Sequence, residues 1–214
     1  MKLYLSSYQL GREPRRLREL VGSSVRAAII MNATDVLGDE RRQEYRPKYI
    51  AALGEVGFDA FELDLREFFS GPDRLAAALE GVGLLWVVGG NTFVLRRAMR
   101  LSGLDAWLPR QLREGRIVYG GFSAGACIAQ PSLRGIHLAD DPTALPSGYP
   151  PFDTIWDGLG LIDFHIVPHY CSPHPESPQM EAVVEYHKAH GQPYRTLSDG
   201  EAIVVDGDDV EVVG

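Results

Sequence analysis

Short apolar runs alternate with amphipathic segments through the first half of the chain. Leu3 to Ser7 is a brief β run, and Glu13 to Val21 has helical spacing, with Pro14 in the first turn where its missing N–H costs nothing. Val25 to Met31 is continuously apolar, the mark of a strand buried on both faces. A helix over Asp39 to Leu53 comes next, interrupted only by Pro47, then a strand over Phe58 to Leu63 and a helix over Asp73 to Glu80. Leu84 to Val88 is the fourth strand and runs into Gly89-Gly90-Asn91-Thr92, after which Phe93 to Arg100 is helical again. A helix over Asp105 to Glu114 leads to a fifth strand, Ile117 to Tyr119. Strands and helices in this alternation predict an α/β fold: a doubly wound, mostly parallel sheet with helices on both faces.

The texture changes beyond residue 130. Pro131 to Trp156 is rich in Pro, Gly and Asp and has little periodicity, so a long loop draped over one end of the sheet is expected. Leu161 to Val167 is apolar enough for a strand, Met180 to Ala189 for a helix, and Glu201 to Val205 with Val210 to Val213 form a C-terminal hairpin around Asp206-Gly207. No repeat or linker divides the chain, and 214 residues suit one domain spanning 1–214.

Composition narrows the partners. Twenty-nine acidic residues against 21 basic ones give a net charge of −8, with no basic run, so a nucleic-acid partner is not expected. No apolar run reaches the roughly 18 residues a membrane span needs. Cys127 and Cys171 do not make a disulfide framework, and the N-terminus opens directly on Leu3-Tyr4-Leu5, so a cytoplasmic protein is expected. A homo-oligomer is left open.

The candidate chemistry centres on Gly121-Phe122-Ser123-Ala124-Gly125, a G-x-S-x-G sequence where a strand passes into small, helix-opening residues. Such a nucleophile elbow needs glycine because its φ/ψ values resist side chains and the backbone approaches the substrate. The helix N-terminus supplies free N–H groups for an oxyanion. A tight turn with an idle serine has the same five letters, so the other parts of a catalytic site must decide.

A serine nucleophile needs a base, and the base an orienting acceptor. Of six histidines, His187 and His190 fall at the end of a polar helix, where exposure is expected, and His165 lies inside a strand, where a buried, satisfied ring is expected. His169 follows Pro168 at a strand's carboxyl end, the edge where Ser123 projects, and is the preferred base; His137 and His174 on loops are the others. His165 and His169 would sit about 13 Å apart along a strand, which argues against zinc, and no metal or cofactor is expected. The orienting acid is Asp199, in a turn before the last hairpin, or Asp140 or Asp141 in the long loop. Ala124 N–H supplies one oxyanion donor, and Gly90, at the neighbouring strand end, can supply the second. Cys127, one helical turn past the bend, is expected to be packed rather than reactive.

Taken together, Val87-Val88-Gly89-Gly90-Asn91-Thr92-Phe93, Gly121 to Ala126, Asp140-Asp141-Pro142, Gly158 to Phe164 and Val167-Pro168-His169-Tyr170 resemble the peptidase E (aspartyl dipeptidase) family of serine peptidases. The likeness runs from about Leu84 to Asp199. It implies a class I glutamine amidotransferase-like fold and a short-peptide substrate, with Ser123 as nucleophile, His169 as base, and Gly90 and Ala124 as oxyanion donors. The family's third catalytic member is a Glu before Gly in a turn near the chain's end, where this chain has Asp199-Gly200. The family also owes its preference for N-terminal aspartate to a cation after the catalytic His. Here no Arg or Lys occurs from Gly135 to His187, so a pocket lined from this segment would repel a carboxylate and could hold a free α-amino group. The expected function is a serine peptidase on short peptides without strict Asp-X specificity. An α/β-hydrolase esterase, with order Ser123, Asp141, His169, and a non-enzymatic amidotransferase-like binding domain are the alternatives.

Overall fold

The computed structural model describes residues 1–214. In chain order they build β1 (Lys2–Ser6), α1 (Pro14–Val21), β2 (Arg26–Ile30), α2 (Asp39–Glu55), β3 (Asp59–Glu62), α3 (Leu75–Ala78), β4 (Leu84–Val87), α4 (Thr92–Leu101), α5 (Leu104–Arg113), β5 (Val118–Phe122) and α6 (Ala124–Cys127). The second half adds β6 (His165–Val167), α7 (Ser177–Ala189), β7 (Tyr194–Thr196), β8 (Ala202–Asp206) and β9 (Asp209–Val213).

Seven of these strands form one sheet in the order β3-β2-β4-β5-β1-β8-β9, parallel from β3 through β1 and antiparallel at β8 and β9. The apolar continuity of the inner strands is explained by burial on both faces. Ala28, Ile30, Leu85 and Val87 join the larger apolar cluster with α4, α5 and α7, whereas Ala27, Ile29, Leu84 and Trp86 join the smaller one under α1 and α2. All five parallel strands end at the same edge, and β5 is drawn there into the sharp bend at Ser123.

Two parts differ from the pattern in the sequence, the helix expected over 73–80 and the strand expected over 161–167. The helix expected over 73–80 shrinks to α3, because Pro72 sets a 3₁₀ turn ahead of it and Gly81, at φ 73°, closes it. The strand expected over 161–167 is only β6, because Leu161 and Ile162 donate their N–H groups to the Ala129 carbonyl beyond α6. β6 pairs in parallel with β7 as a separate two-stranded sheet. The long loop after residue 130 is strapped to the sheet's end: Tyr149 Oη donates to Asp35 Oδ2 at 2.6 Å, Arg97 to the Ala144 carbonyl at 2.9 Å, and Asn91 Nδ2 to the Asp141 carbonyl at 3.0 Å. No helix is long and apolar enough to cross a membrane.

Candidate active site

The glycines of the elbow have separate physical reasons. A Cβ on Gly121 would lie 2.8 Å from both the Gly125 and Val87 carbonyl oxygens, and one on Gly125 would lie 2.2 Å from Val87 O. Both sites must be bare for α6 to leave β5 so steeply against β4. Between them Ser123 adopts φ 51° and ψ −117°, a conformation that costs a non-glycine residue on the order of 1–3 kcal/mol and persists where surrounding structure holds it. The hold is visible: Ser123 N–H is shared between the Ser6 and Ser7 carbonyls at 3.2 and 3.1 Å.

His169 also carries a positive φ, 56°, at the bend that comes after β6. Its Nδ1 lies 2.7 Å from Asp199 Oδ1. A carboxylate there fixes the proton on Nδ1, so Nε2 presents its lone pair; that atom is buried and has no hydrogen-bond partner. The contact from Nε2 to the Ser123 hydroxyl is therefore not closed in this structure, a looseness common without substrate. Burial pulls the His169 imidazole below the usual histidine range, opposed by its bond to Asp199, so the ring is neutral at pH 7 and able to take a proton.

Of the three candidate acids, the structure brings only Asp199 to His169. Asp140 Oδ2 accepts the Thr92 N–H at 2.8 Å, and Asp141 Oδ1 caps its own turn by accepting from Thr143. Sequence reasoning missed a fourth participant. Ser7, fully buried at the end of β1, donates to Asp199 Oδ1 at 3.0 Å and accepts the His169 backbone N–H at 2.8 Å, joining the two residues through one hydroxyl. No motif signals it, because its partners lie more than 160 residues away in the chain.

Gly90 and Ala124 sit at adjacent strand ends, and neither N–H is engaged by another backbone group. Gly90 holds φ 137°, and a Cβ there would press to 2.4 Å from Ala33 O. Beyond it Asn91 Oδ1 caps α4, accepting from Phe93 and Val94. Cys127 is packed as expected, with its thiol pushed up by burial.

A cavity of about 10 Å³ opens beside Ser123, enough for one water-sized group. Its polar lining is Asp140, Glu176 and Thr92, whose hydroxyl is buried without a partner. Desolvation raises the Asp140 carboxyl to about 6, Glu176 adding to the rise and the Thr92 bond opposing it.

The remaining histidines divide. His174 stacks on His169, ring centroids 3.6 Å apart and 9° from parallel, and with Glu176 the pair brings ligand atoms within 4.8 Å of one another; this is the set able to hold a divalent ion. His137 caps the Gly135 N–H, and His190 is exposed as expected. His187 is not: it is fully buried, its Nδ1 2.8 Å from Gln192 Oε1 and its ring 4.4 Å from that of His165. The expectation of exposure fails because this face of α7 packs on the β6–β7 pair. His165 is buried as expected, its Nδ1 against the Pro193 carbonyl, yet its Nε2 is unsatisfied.

The sequence pattern of the family described as peptidase family S51 matches residues 15–213. The chain belongs to peptidase family S51. The S51 protein is accordingly a hydrolase of the serine-peptidase class, which removes the esterase and binding-domain alternatives. It is 34% identical over 169 residues to a Streptomyces coelicolor protein named peptidase E, a match spanning 77% of this chain and 63% of that one. It is likewise 34% identical over 173 residues to a Drosophila melanogaster protein named a probable alpha-aspartyl dipeptidase, spanning 78% and 67%. The crystal structure of a candidate peptidase E protein from Listeria monocytogenes EGD-e superposes with a TM-score of 0.77 at 25% identity, covering 99% of this chain and 97% of that one.

Proposed function

We propose that this S51 peptidase removes the N-terminal residue from short peptides, with the whole chain acting as one catalytic unit. Ser123 attacks the scissile carbonyl while His169 Nε2 takes the hydroxyl proton. Asp199 holds the imidazole tautomer and stabilises the imidazolium, and the N–H groups of Gly90 and Ala124 receive the oxyanion. His169 then protonates the departing amine, and water repeats the sequence on the acyl-enzyme. The observation that carries this reading is the His169 ring, tied to Asp199 on one nitrogen and bare on the other in a buried position.

The cavity beside Ser123 supplies the exopeptidase ruler. It has room for an ammonium group, and Asp140, Glu176 and the Thr92 hydroxyl are the partners such a group requires. The same acids would repel an aspartate side chain, so the preference in the name of the Drosophila relative is not carried over. The free thiols of Cys127 and Cys171 accord with a cytoplasmic setting.

A peptide panel with purified protein tests the reading. Free-amino dipeptides and tripeptides should be cleaved after the first residue, N-acetylated ones should resist, and Ser123→Ala should lose on the order of 10⁴-fold in kcat while keeping its melting temperature. Turnover by the Ser123→Ala protein, or rapid cleavage confined to Asp-X, would overturn it.

A further inference from the structure

A cavity of about 1130 Å³ lies on the opposite face of the sheet from the ammonium-sized pocket. It runs between α1 and α2, the two helices that cover this face, and its floor is aromatic. Trp86 lies over β5 because Gly120 leaves it room, a Cβ there falling 2.7 Å from the indole ring. Phe122 packs 6.3 Å from Trp86, and Tyr49 packs 5.9 Å from Phe122.

The cavity borders Ser123, Asp199 and His169 through their neighbours. Phe122 immediately precedes Ser123, and Gly200 in the cavity wall immediately follows Asp199. Tyr8, also in the wall, sets its ring edge-on to Phe122 at 6.1 Å and to His169 at 6.0 Å. In a Ser-His mechanism the leaving amine departs beside the imidazole that protonates it. Tyr8, edge-on to that imidazole, is also a wall of the groove, so a leaving group that passes Tyr8 would enter it.

Its charge runs against that of the rest of the protein. Four basic residues line the cavity against two acidic ones, in a chain of net charge −8. Two of the four are uncommitted: Arg12 and Arg15 are exposed and enter no ion pair, whereas neighbouring Arg16 is paired with Glu19 and Glu211, and Arg18 is bonded to the Ser24 carbonyl. An apolar floor with free guanidinium groups at the rim fits a chain that is apolar along its length and anionic at its end.

We infer that this groove binds the leaving-group side of the peptide substrate, with aromatic or large apolar side chains on Trp86, Phe122 and Tyr49 and the C-terminal carboxylate at Arg12 and Arg15. The inference rests on the peptidase reading and adds the substrate class: oligopeptides with apolar C-terminal portions, in addition to dipeptides. The volume exceeds that of a single residue and lies at the upper end of ordinary ligand sites.

The test holds the N-terminal residue fixed and varies the two residues after it. Tripeptides ending in Phe-Phe should be cleaved with kcat/KM at least tenfold above those ending in Gly-Gly, the difference lying mainly in KM. Amidating the C-terminus, or replacing Arg12 and Arg15 together with Ala, should each raise KM for the Phe-Phe substrate about fivefold, and the two changes together should do no more than either alone. Tyr49→Ala should narrow the Phe-Phe advantage, raising KM for the Phe-Phe substrate more than for the Gly-Gly one. Equal kcat/KM for the two leaving groups, or indifference to both amidation and the arginine changes, overturns the groove assignment. Hydrolysis of the Gly-Gly substrate shows in the same experiment that the peptidase reading stands; its absence throughout the series means that reading has failed instead.

Discussion

Ser7 Oγ donates to Asp199 Oδ1 at 3.0 Å and at the same time accepts the backbone N–H of His169 at 2.8 Å. One buried hydroxyl thus sets both ends of the His169–Asp199 hydrogen bond. The residue also serves the elbow, since its carbonyl shares the Ser123 N–H with that of Ser6.

Ser7→Ala leaves the carbonyl in place and removes only the hydroxyl. The His169 N–H and one carboxylate lone pair lose a partner in a buried place, which should lower stability by about 1–3 kcal/mol. Loss of orientation should cut kcat by roughly tenfold or more with KM little changed, and steady-state kinetics beside a thermal melt read both. A purely structural role would move the melt and leave kcat in the folded fraction untouched.

Asp199→Asn keeps the shape and removes the charge. An amide can donate to Nδ1, turning the imidazole to the tautomer with its proton on Nε2, where no base remains for Ser123. The expected loss in kcat is on the order of 10⁴-fold. The imidazole should also lose the bond that now raises its pKa, so the residual activity should extend to lower pH than in the parent. A pH–rate profile from about 5 to 9 checks the direction.

How far the site was legible in the sequence depends on how local each requirement is. Gly121, Ser123 and Gly125 are readable because one bend imposes all three. His169 and Asp199 are readable as strand-end and turn residues, though only the fold sets them 2.7 Å apart. Ser7 is an ordinary strand-end serine until β1 is inserted between β5 and β8. His187 misled for the same reason in reverse: its polar neighbours describe the exposed face of α7, while the packing direction of that helix is set by β6 and β7, of which β7 is too short to stand out. The His169–His174 stack depends on the loop path between β6 and α7, where prolines break any period.

Gly90→Ala probes the proposed oxyanion donor through the backbone alone. Its φ of 137° is disfavoured with a side chain, and the new Cβ would meet Ala33 O at 2.4 Å, so the 89–91 segment must shift. A displaced Gly90 N–H should cost about 10²–10³ in kcat, the scale of losing one oxyanion donor. Labelling by a fluorophosphonate should slow, while Ser123 remains the residue modified. Unchanged kcat in a folded Gly90→Ala protein would remove Gly90 from the site.

Asp140 separates function from stability by pH. Its carboxyl is raised from 3.8 to about 6 in the folded protein, chiefly by desolvation, so the folded state holds this proton more tightly than the unfolded chain does. Between about pH 4 and 6 the folded state therefore binds the extra proton, and stability from this group falls as pH rises through that window and stays lower above it. Asp140→Asn should raise the melting point at pH 7.5, by an amount equivalent to about 2–3 kcal/mol at most, and change it little at about pH 4. If the ionised carboxylate holds the substrate ammonium, parent kcat/KM for free-amino peptides should climb with pH through about 6. Asp140→Asn should lose that contribution mainly as higher KM. A stabilised variant with undiminished kcat/KM would assign Asp140 to the loop's attachment at Thr92 alone and leave the ammonium with Glu176.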